Sequence, residues 1–254
     1  MSKRPVPSLV AHRGQMATHP ENSLAGIEAA LECGAGYVEF DVQCTADGAL
    51  VLFHDTELKR ITGVDGKLFE TTRRQLAELR ICEPERFPSG AFHEPVPALA
   101  DAVGLLQRYP RATAFVEIKE ESIDAFGMEG VIDRLLGETA AIRRQCVVIS
   151  YHSKALEYAR SRSSLRIGWV LRKYDERHHR QAQRLDPDYL ILNHTKLPEG
   201  RTLWRGGWEW MLYDITDPEL ALKYADEVAL IETADVCAML KHPVLAHKAA
   251  RQRY

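Results

Sequence analysis

Short apolar runs of β-forming residues alternate with stretches of helical period along almost the whole chain, and that alternation leaves few folds open. Strand-like runs lie near residues 8–11, 37–43, 50–54, 113–118, 146–151, 166–171, 189–193, 209–215 and 228–233. Helical patterns lie near 23–33, 98–108, 124–140, 153–161, 176–184, 217–225 and 234–241. In the first of these Ser23 is the N-cap, Leu24, Ile27, Ala30 and Leu31 make the apolar stripe, and Gly34 ends it. Asp47-Gly48 joins the second and third strands as a hairpin turn. Residues 197–207 are too rich in Gly, Pro and charge to read as a regular helix. Residues 56–97 break the rhythm with Gly, Pro and charged residues, and read as an insertion outside the core. About eight βα units then fill one domain, 1–254, which predicts a (β/α)8 barrel with a short insertion after the second strand region. A doubly wound open sheet is the alternative, but no GxGxxG or GKS/T loop follows any strand.

Composition excludes several classes. The net charge of −3 arises from 33 basic and 36 acidic residues spread along the chain, so no basic face for nucleic acid is expected. The basic tail from His247 to Tyr254 reads as a solvated terminus. Mean hydropathy of −0.28 suits a water-soluble protein with a substantial core. No apolar run is long enough to cross a bilayer, so no stable membrane insertion is expected. The first strand begins by about residue 8, which leaves no room for a signal peptide with an apolar centre. Cys33, Cys44, Cys82, Cys146 and Cys237 are odd in number and include no CxxC pair. That pattern argues against a disulfide framework or a structural zinc site, and for the reducing cytoplasm.

Charged and polar residues sit where the strands end. Leu9-Val10-Ala11 runs into His12-Arg13-Gly14, and Leu50-Val51-Leu52-Phe53 into His54-Asp55. Tyr37–Val42 carries Glu39 and Asp41, and Ala114–Lys119 carries Glu117 and Lys119. Residues i and i+2 of a strand share a face, so each pair projects together. In a barrel all these groups would meet at the C-terminal mouth. Two like charges about 4 Å apart repel by roughly 4 kcal/mol at an effective dielectric near 20, so three converging carboxylates need a shared proton, Lys119 or a cation. All-oxygen donors favour Mg²⁺ or Ca²⁺. The histidines suit acid and base roles, and Arg13 suits a phosphate or carboxylate. A hard cation, an arginine, a lysine and two histidines fit phosphodiester cleavage.

These residues resemble the glycerophosphodiester phosphodiesterases. The likeness runs through His12-Arg13-Gly14, Pro20-Glu21-Asn22-Ser23, Glu39-x-Asp41-Val42, Thr45-x-Asp47-Gly48, Val51, His54-Asp55 and Glu117-Ile118-Lys119. It is strong over 9–60 and 113–119, and thinner to about residue 240. The resemblance implies a TIM barrel that hydrolyses glycerophosphodiesters to sn-glycerol 3-phosphate and an alcohol. It implies Glu39, Asp41 and Glu117 as ligands of a divalent cation, with Glu21 near the metal or its water. It further implies His12 and His54 as the acid/base pair, and Arg13 and Lys119 as phosphate contacts. The insertion after His54 would cap part of the site and help choose the alcohol. Tyr213-Asp214-Ile215-Thr216 and Thr233-Ala234-Asp235 depart from the family's usual Trp-Thr-Val-Asn and Thr-Asp. Ser150-Tyr151-His152 stands where Ser-Phe and a polar residue are common.

Blander readings apply to the rest. His93, His178, His179, His194, His242 and His247 need no role, His19 reads as a solvated loop residue, and Asp55 as an orienting one. His152 fits pocket lining and structure equally. Trp169, Trp204, Trp208 and Trp210 fit core or rim as well as a substrate platform. Competing functions are lysophospholipase D-type cleavage of single-chain lipids, a catalytically silent phosphodiester-binding module, and, ranked far lower, a metal-dependent sugar isomerase. A small soluble glycerophosphodiester is favoured, because apolar residues of the insertion are interspersed with charge.

Overall fold

The computed structural model describes residues 6–200 and 202–246. The expectations for the first five residues and for the basic tail, with His247, lie outside the described residues. The chain runs β1 (Ser8–Ala11), α1 (Leu24–Glu32), β2 (Tyr37–Cys44) and β3 (Leu50–Leu52). The insertion follows with α2 (Lys59–Thr62), α3 (Arg73–Leu76), β4 (Arg80–Ile81) and β5 (Glu94–Pro95). Then come α4 (Leu99–Gln107), β6 (Thr113–Ile118), α5 (Glu120–Phe126), α6 (Met128–Glu138), β7 (Cys146–Ser150) and α7 (Ser153–Arg162). The last part is β8 (Arg166–Val170), α8 (Glu176–Leu185), β9 (Tyr189–Asn193), β10 (Glu209–Tyr213), α9 (Pro218–Lys223), β11 (Leu230–Thr233) and α10 (Val236–Met239).

Strands β1, β2 and β6 to β11 form a closed parallel ring, because β1 pairs with both β2 and β11. The open-sheet alternative is thereby excluded. Period-two alternation sorts each strand's side chains. One set, including Val10, Phe115, Ile149, Val170, Ile191 and Met211, fills the barrel interior as its own cluster. The other set, such as Val38, Phe40 and Val116, packs outward against the helices. Helix α1 follows its sequence signals: the Ser23 side chain accepts the Gly26 N–H, and Ile27, Ala30 and Leu31 are buried.

The third strand-like run, β3, is an antiparallel hairpin arm on the long end of β2, Val42 opposite Leu52, as the Asp47-Gly48 turn predicts. The structure corrects three expectations. The 124–140 helix is two, α5 and α6, because Gly127 between them takes φ +85°. The insertion is not devoid of a core: Val51, Phe53, Leu58, Ile61, Leu68 and Leu76 bury one another in a small separate cluster. Finally, Cys33 and Cys237 form a disulfide. Ring closure sets α10, which follows the last strand, beside α1, a contact that counting cysteines along the chain does not reveal. Cys44, Cys82 and Cys146 are free thiols. Residues 194–200 hold only a 3₁₀ turn, His194–Lys196, in keeping with the irregular composition there.

Candidate active site

The inward register of the strands changes from apolar to polar at the C-terminal mouth. Val10 is followed by His12, Phe115 by Glu117 and then Lys119, Ile149 by Tyr151, Ile191 by Asn193, and Met211 by Tyr213. On β2 the inward row is Tyr37, Glu39, Asp41 and Gln43. Parallel pairing sets Asp41 directly beside Glu117. His12, Arg13, Glu39, His54, Glu117 and Lys119 line a cavity of about 260 Å³, and Asp41 lies against it beside Glu39 and Glu117.

One oxygen from each of Glu39, Asp41 and Glu117 lies within 4.8 Å of the others, so the three carboxylates fit a single cation. Glu39 and Asp41 are each only 2% exposed, and β2 holds both rigidly. The Arg13 backbone N–H donates to Glu39 Oε2 at 3.0 Å. Asn22 clamps Asp41 twice, donating from Nδ2 to Oδ2 at 3.0 Å and accepting the Asp41 backbone N–H at 2.9 Å. To do so Asn22 adopts φ +56°, a left-handed conformation that asparagine tolerates better than most residues.

Two cations balance part of this charge. Lys119 Nζ lies 2.8 Å from Glu117 and 3.4 Å from Asp41. Arg13 bridges Asp41 at 3.0 Å and Glu21 at 2.9 Å. Burial would raise the Asp41 carboxyl, but Arg13 and then Lys119 outweigh it and hold the group below the usual range. Burial, with Asp41 and other acidic neighbours adding to it, pushes Glu39 well above that range. Burial also keeps Glu117 raised, although Lys119 opposes it. A divalent cation would offset the strain of holding these acids ionised together. Glu21 belongs to neither cluster of candidate ligand atoms; its carboxylate is taken up by Arg13 and by Arg60, the latter at 2.8 Å through two nitrogens.

The β3 hairpin returns the chain to the mouth, where the Phe53 N–H donates to the Asp41 carbonyl, and His54 enters the cavity. Gln43 Nε2 donates to the carbonyls of His54 and Asp55, fixing the loop from below. The His54 Nδ1 lies 2.7 Å from Asp55 Oδ1, which leaves Nε2 as the ring nitrogen for chemistry. Arg60 of α2 grips Asp55 at 2.6 and 2.9 Å while also holding Glu21. The insertion thus orients His54 from outside the barrel. His12 is largely enclosed, its side chain 17% exposed, and desolvation lowers its pKa to about 3 with help from the Arg13 charge, so the ring is neutral at pH 7.

Sequence reasoning missed Arg60, Gln43 and Glu232. Glu232 lines the cavity from β11, 4% exposed, and its Oε1 makes no hydrogen bond among the described residues. The signal was present, since Leu230-Ile231-Glu232-Thr233 puts an acid inside an apolar run just as Glu39 does. Conversely, His152 is structural, accepting the Ala155 N–H at the start of α7. Trp208 and Trp210 pack outside the barrel interior, both donating to the Trp204 carbonyl. Tyr151 and Tyr213, at two of the departures from the family pattern, join their hydroxyls at 2.9 Å across the cavity wall.

Arg60→Ala is expected to lower kcat about tenfold to a hundredfold with little change in KM, since it frees Asp55 and lets His54 turn. Steady-state kinetics, with Arg60→Lys restoring part of the loss, checks this.

Comparison with known families matches residues 12–240 to the glycerophosphoryl diester phosphodiesterase family. The chain belongs to that family. Glycerophosphodiester phosphodiesterase 1 of Bos taurus is 36% identical over 118 residues, 46% of this chain and 35% of that protein. The glycerophosphodiester phosphodiesterase of Bacillus altitudinis is 29% identical over 148 residues, 58% of this chain and 59% of that one. The matched region therefore spans about a third to three-fifths of these relatives. Among solved structures, an Oleispira antarctica phosphodiesterase in complex with the product sn-glycerol-3-phosphate superposes with TM-score 0.79. It is 22% identical, and the match covers 93% of this chain and 96% of that one. A glycerophosphodiester phosphodiesterase from Parabacteroides distasonis has TM-score 0.77 at 20% identity, covering 97% and 100%. These likenesses show that the family fold extends over nearly the whole chain.

Proposed function

We propose that this chain is a divalent-cation-dependent glycerophosphodiester phosphodiesterase, converting small deacylated diesters to sn-glycerol 3-phosphate and an alcohol. The observation that carries the reading is the meeting of three carboxylates, two histidines, Arg13 and Lys119 around one cavity of about 260 Å³. Relatives named for this activity support it. Glu39, Asp41 and Glu117 are the residues that would hold the cation, and their all-oxygen donor set suits Mg²⁺ or Ca²⁺. When bound, the ion offsets negative charge on the phosphoryl oxygens. Arg13 and Lys119 add fixed positive charge beside it. His12 and His54 divide the proton transfers, one accepting from the attacking oxygen and the other donating to the departing alkoxide.

A small polar substrate fits better than a single-chain lipid. Leu68 and Leu76 of the insertion are fully buried in its own core, Phe69 packs on Phe126, and Phe87 on Phe92. Among the described residues the exposed large hydrophobics are Val64 and Val244, too few for a lipid-binding face. No helix among the described residues is long and apolar enough to cross a membrane. The Cys33–Cys237 disulfide removes the cysteine argument for a reducing compartment, which rested on unpaired thiols.

The test is turnover of glycerophosphocholine before and after chelation. Choline and sn-glycerol 3-phosphate are the expected products, with activity lost in EDTA and restored by Mg²⁺ or Ca²⁺. Full activity in EDTA would remove the cation, and release of phosphocholine would place the cut on the other ester bond. Preference for lysophosphatidylcholine would move the substrate to lipids, and no turnover of either would leave a binding module.

A further inference from the structure

Two groups of candidate ligand atoms meet at Glu39. The first is Glu39, Asp41 and Glu117; the second is His12, Glu39 and Glu232, whose ligand atoms also lie within 4.8 Å of one another. The second group contains the feature that the first does not explain. Glu232 is 4% exposed and faces the cavity, yet its Oε1 has no hydrogen-bond partner among the described residues. A buried carboxyl oxygen without a partner is costly unless a ligand satisfies it. It stands opposite Val10 in the β1–β11 register, so the strand that leads into His12 is its direct neighbour. The donor chemistry also differs. One imidazole nitrogen with two carboxylates suits a borderline ion such as Zn²⁺ better than Mg²⁺ or Ca²⁺.

We propose that His12, Glu39 and Glu232 form a second cation site, selective for a borderline ion such as Zn²⁺, sharing Glu39 with the first. Its occupation engages the lone pair of His12 and so removes that imidazole from proton transfer, making the second ion an inhibitor. The inhibitory sense rests on the proposed role of His12; the site itself does not. Glu39 is the common carboxylate, and Glu232 is the residue unique to the second ion.

The test loads the whole protein with saturating Mg²⁺, adds Zn²⁺ under equilibrium dialysis, and counts both metals. Wild type is expected to hold one Mg²⁺ and one Zn²⁺ per chain, and Glu232→Gln to bind Zn²⁺ at least about tenfold more weakly while keeping its Mg²⁺. In parallel, Zn²⁺ is expected to inhibit Mg²⁺-supported turnover of wild type, and about tenfold more is needed for the variant. Anomalous scattering from crystals of the Mg²⁺-loaded wild type soaked in Zn²⁺ places the ion without any variant, with a peak between His12 and Glu232 expected. Zn²⁺ that binds only by displacing Mg²⁺, equal uptake by both proteins, or a peak elsewhere overturns the second site and leaves the first standing. Failure of wild type to bind either metal overturns both.

Discussion

His54→Ala is expected to lower kcat on glycerophosphocholine by about 10²–10⁴-fold, with cation affinity and the unfolding midpoint close to wild type. The reasoning starts from how the ring is held. Its Nδ1 is engaged by Asp55 at 2.7 Å, Asp55 is gripped by Arg60, and Gln43 pins the carbonyl of the same residue. A ring fixed this firmly has one nitrogen left, facing a cavity that also holds Arg13 and Lys119. The side chain is 32% exposed and buries little apolar area, so its removal leaves packing intact. It belongs to neither group of candidate ligand atoms, so cation binding is retained. Kinetics with saturating Mg²⁺, alongside a binding isotherm for the ion, separates a chemical role from a structural one. Turnover within tenfold of wild type would remove His54 from proton transfer. Loss of the cation together with activity would make its role structural.

The physical reason this site could be read in the sequence is the cost of charge within a strand. Glu39 and Asp41 interrupt an apolar run at spacing two, and so do Glu117 and Lys119, where burial without a partner is expensive. The closed ring brings those strands side by side, and the register puts Asp41 against Glu117. Glu232 obeys the same rule but stands alone in a four-residue strand, where one acid carries no i+2 partner to draw attention. Arg60 was unreadable for a different reason. It lies in an insertion without clear periodicity, and its role depends on where the β2–β3 hairpin delivers Asp55. Gln43 acts through geometry alone, since an amide on a strand costs little and signals nothing. The Cys33–Cys237 disulfide was hidden because barrel closure, not spacing, makes the contact. Pattern thus exposes residues that are costly to bury, whereas contacts made by closure and insertion appear only in three dimensions.

Gly14→Ala is expected to cost about 3 kcal/mol or more of stability, the largest effect of any methyl added to this site. Gly14 follows His12 and Arg13 at the end of β1, with φ +85°, a conformation that L side chains rarely adopt. A Cβ there would lie 2.6 Å from the Gly26 carbonyl carbon, 2.7 Å from the Ile27 nitrogen and 2.9 Å from the Gly26 oxygen. All three are backbone atoms of α1 and cannot rotate aside. The helix is itself fixed, because Gln15 N–H donates to the Gly26 carbonyl and Ile27 is fully buried beneath it. Relief requires α1 to lift or the His12-Arg13 turn to shift. The second route pulls the Arg13 N–H from Glu39 and its guanidinium from Asp41, disturbing the acidic cluster. Gly104→Ala provides the contrast: nothing lies within 4 Å of that Cβ position, and in the middle of α4 the change should stabilise by about 0.5–1 kcal/mol. Urea unfolding of the two variants, at unchanged m-value, measures both signs. A Gly14→Ala protein within about 1 kcal/mol of wild type would mean that the turn carrying His12 and Arg13 is not locked to α1 by close backbone packing, leaving β2 alone to place Glu39 and Asp41.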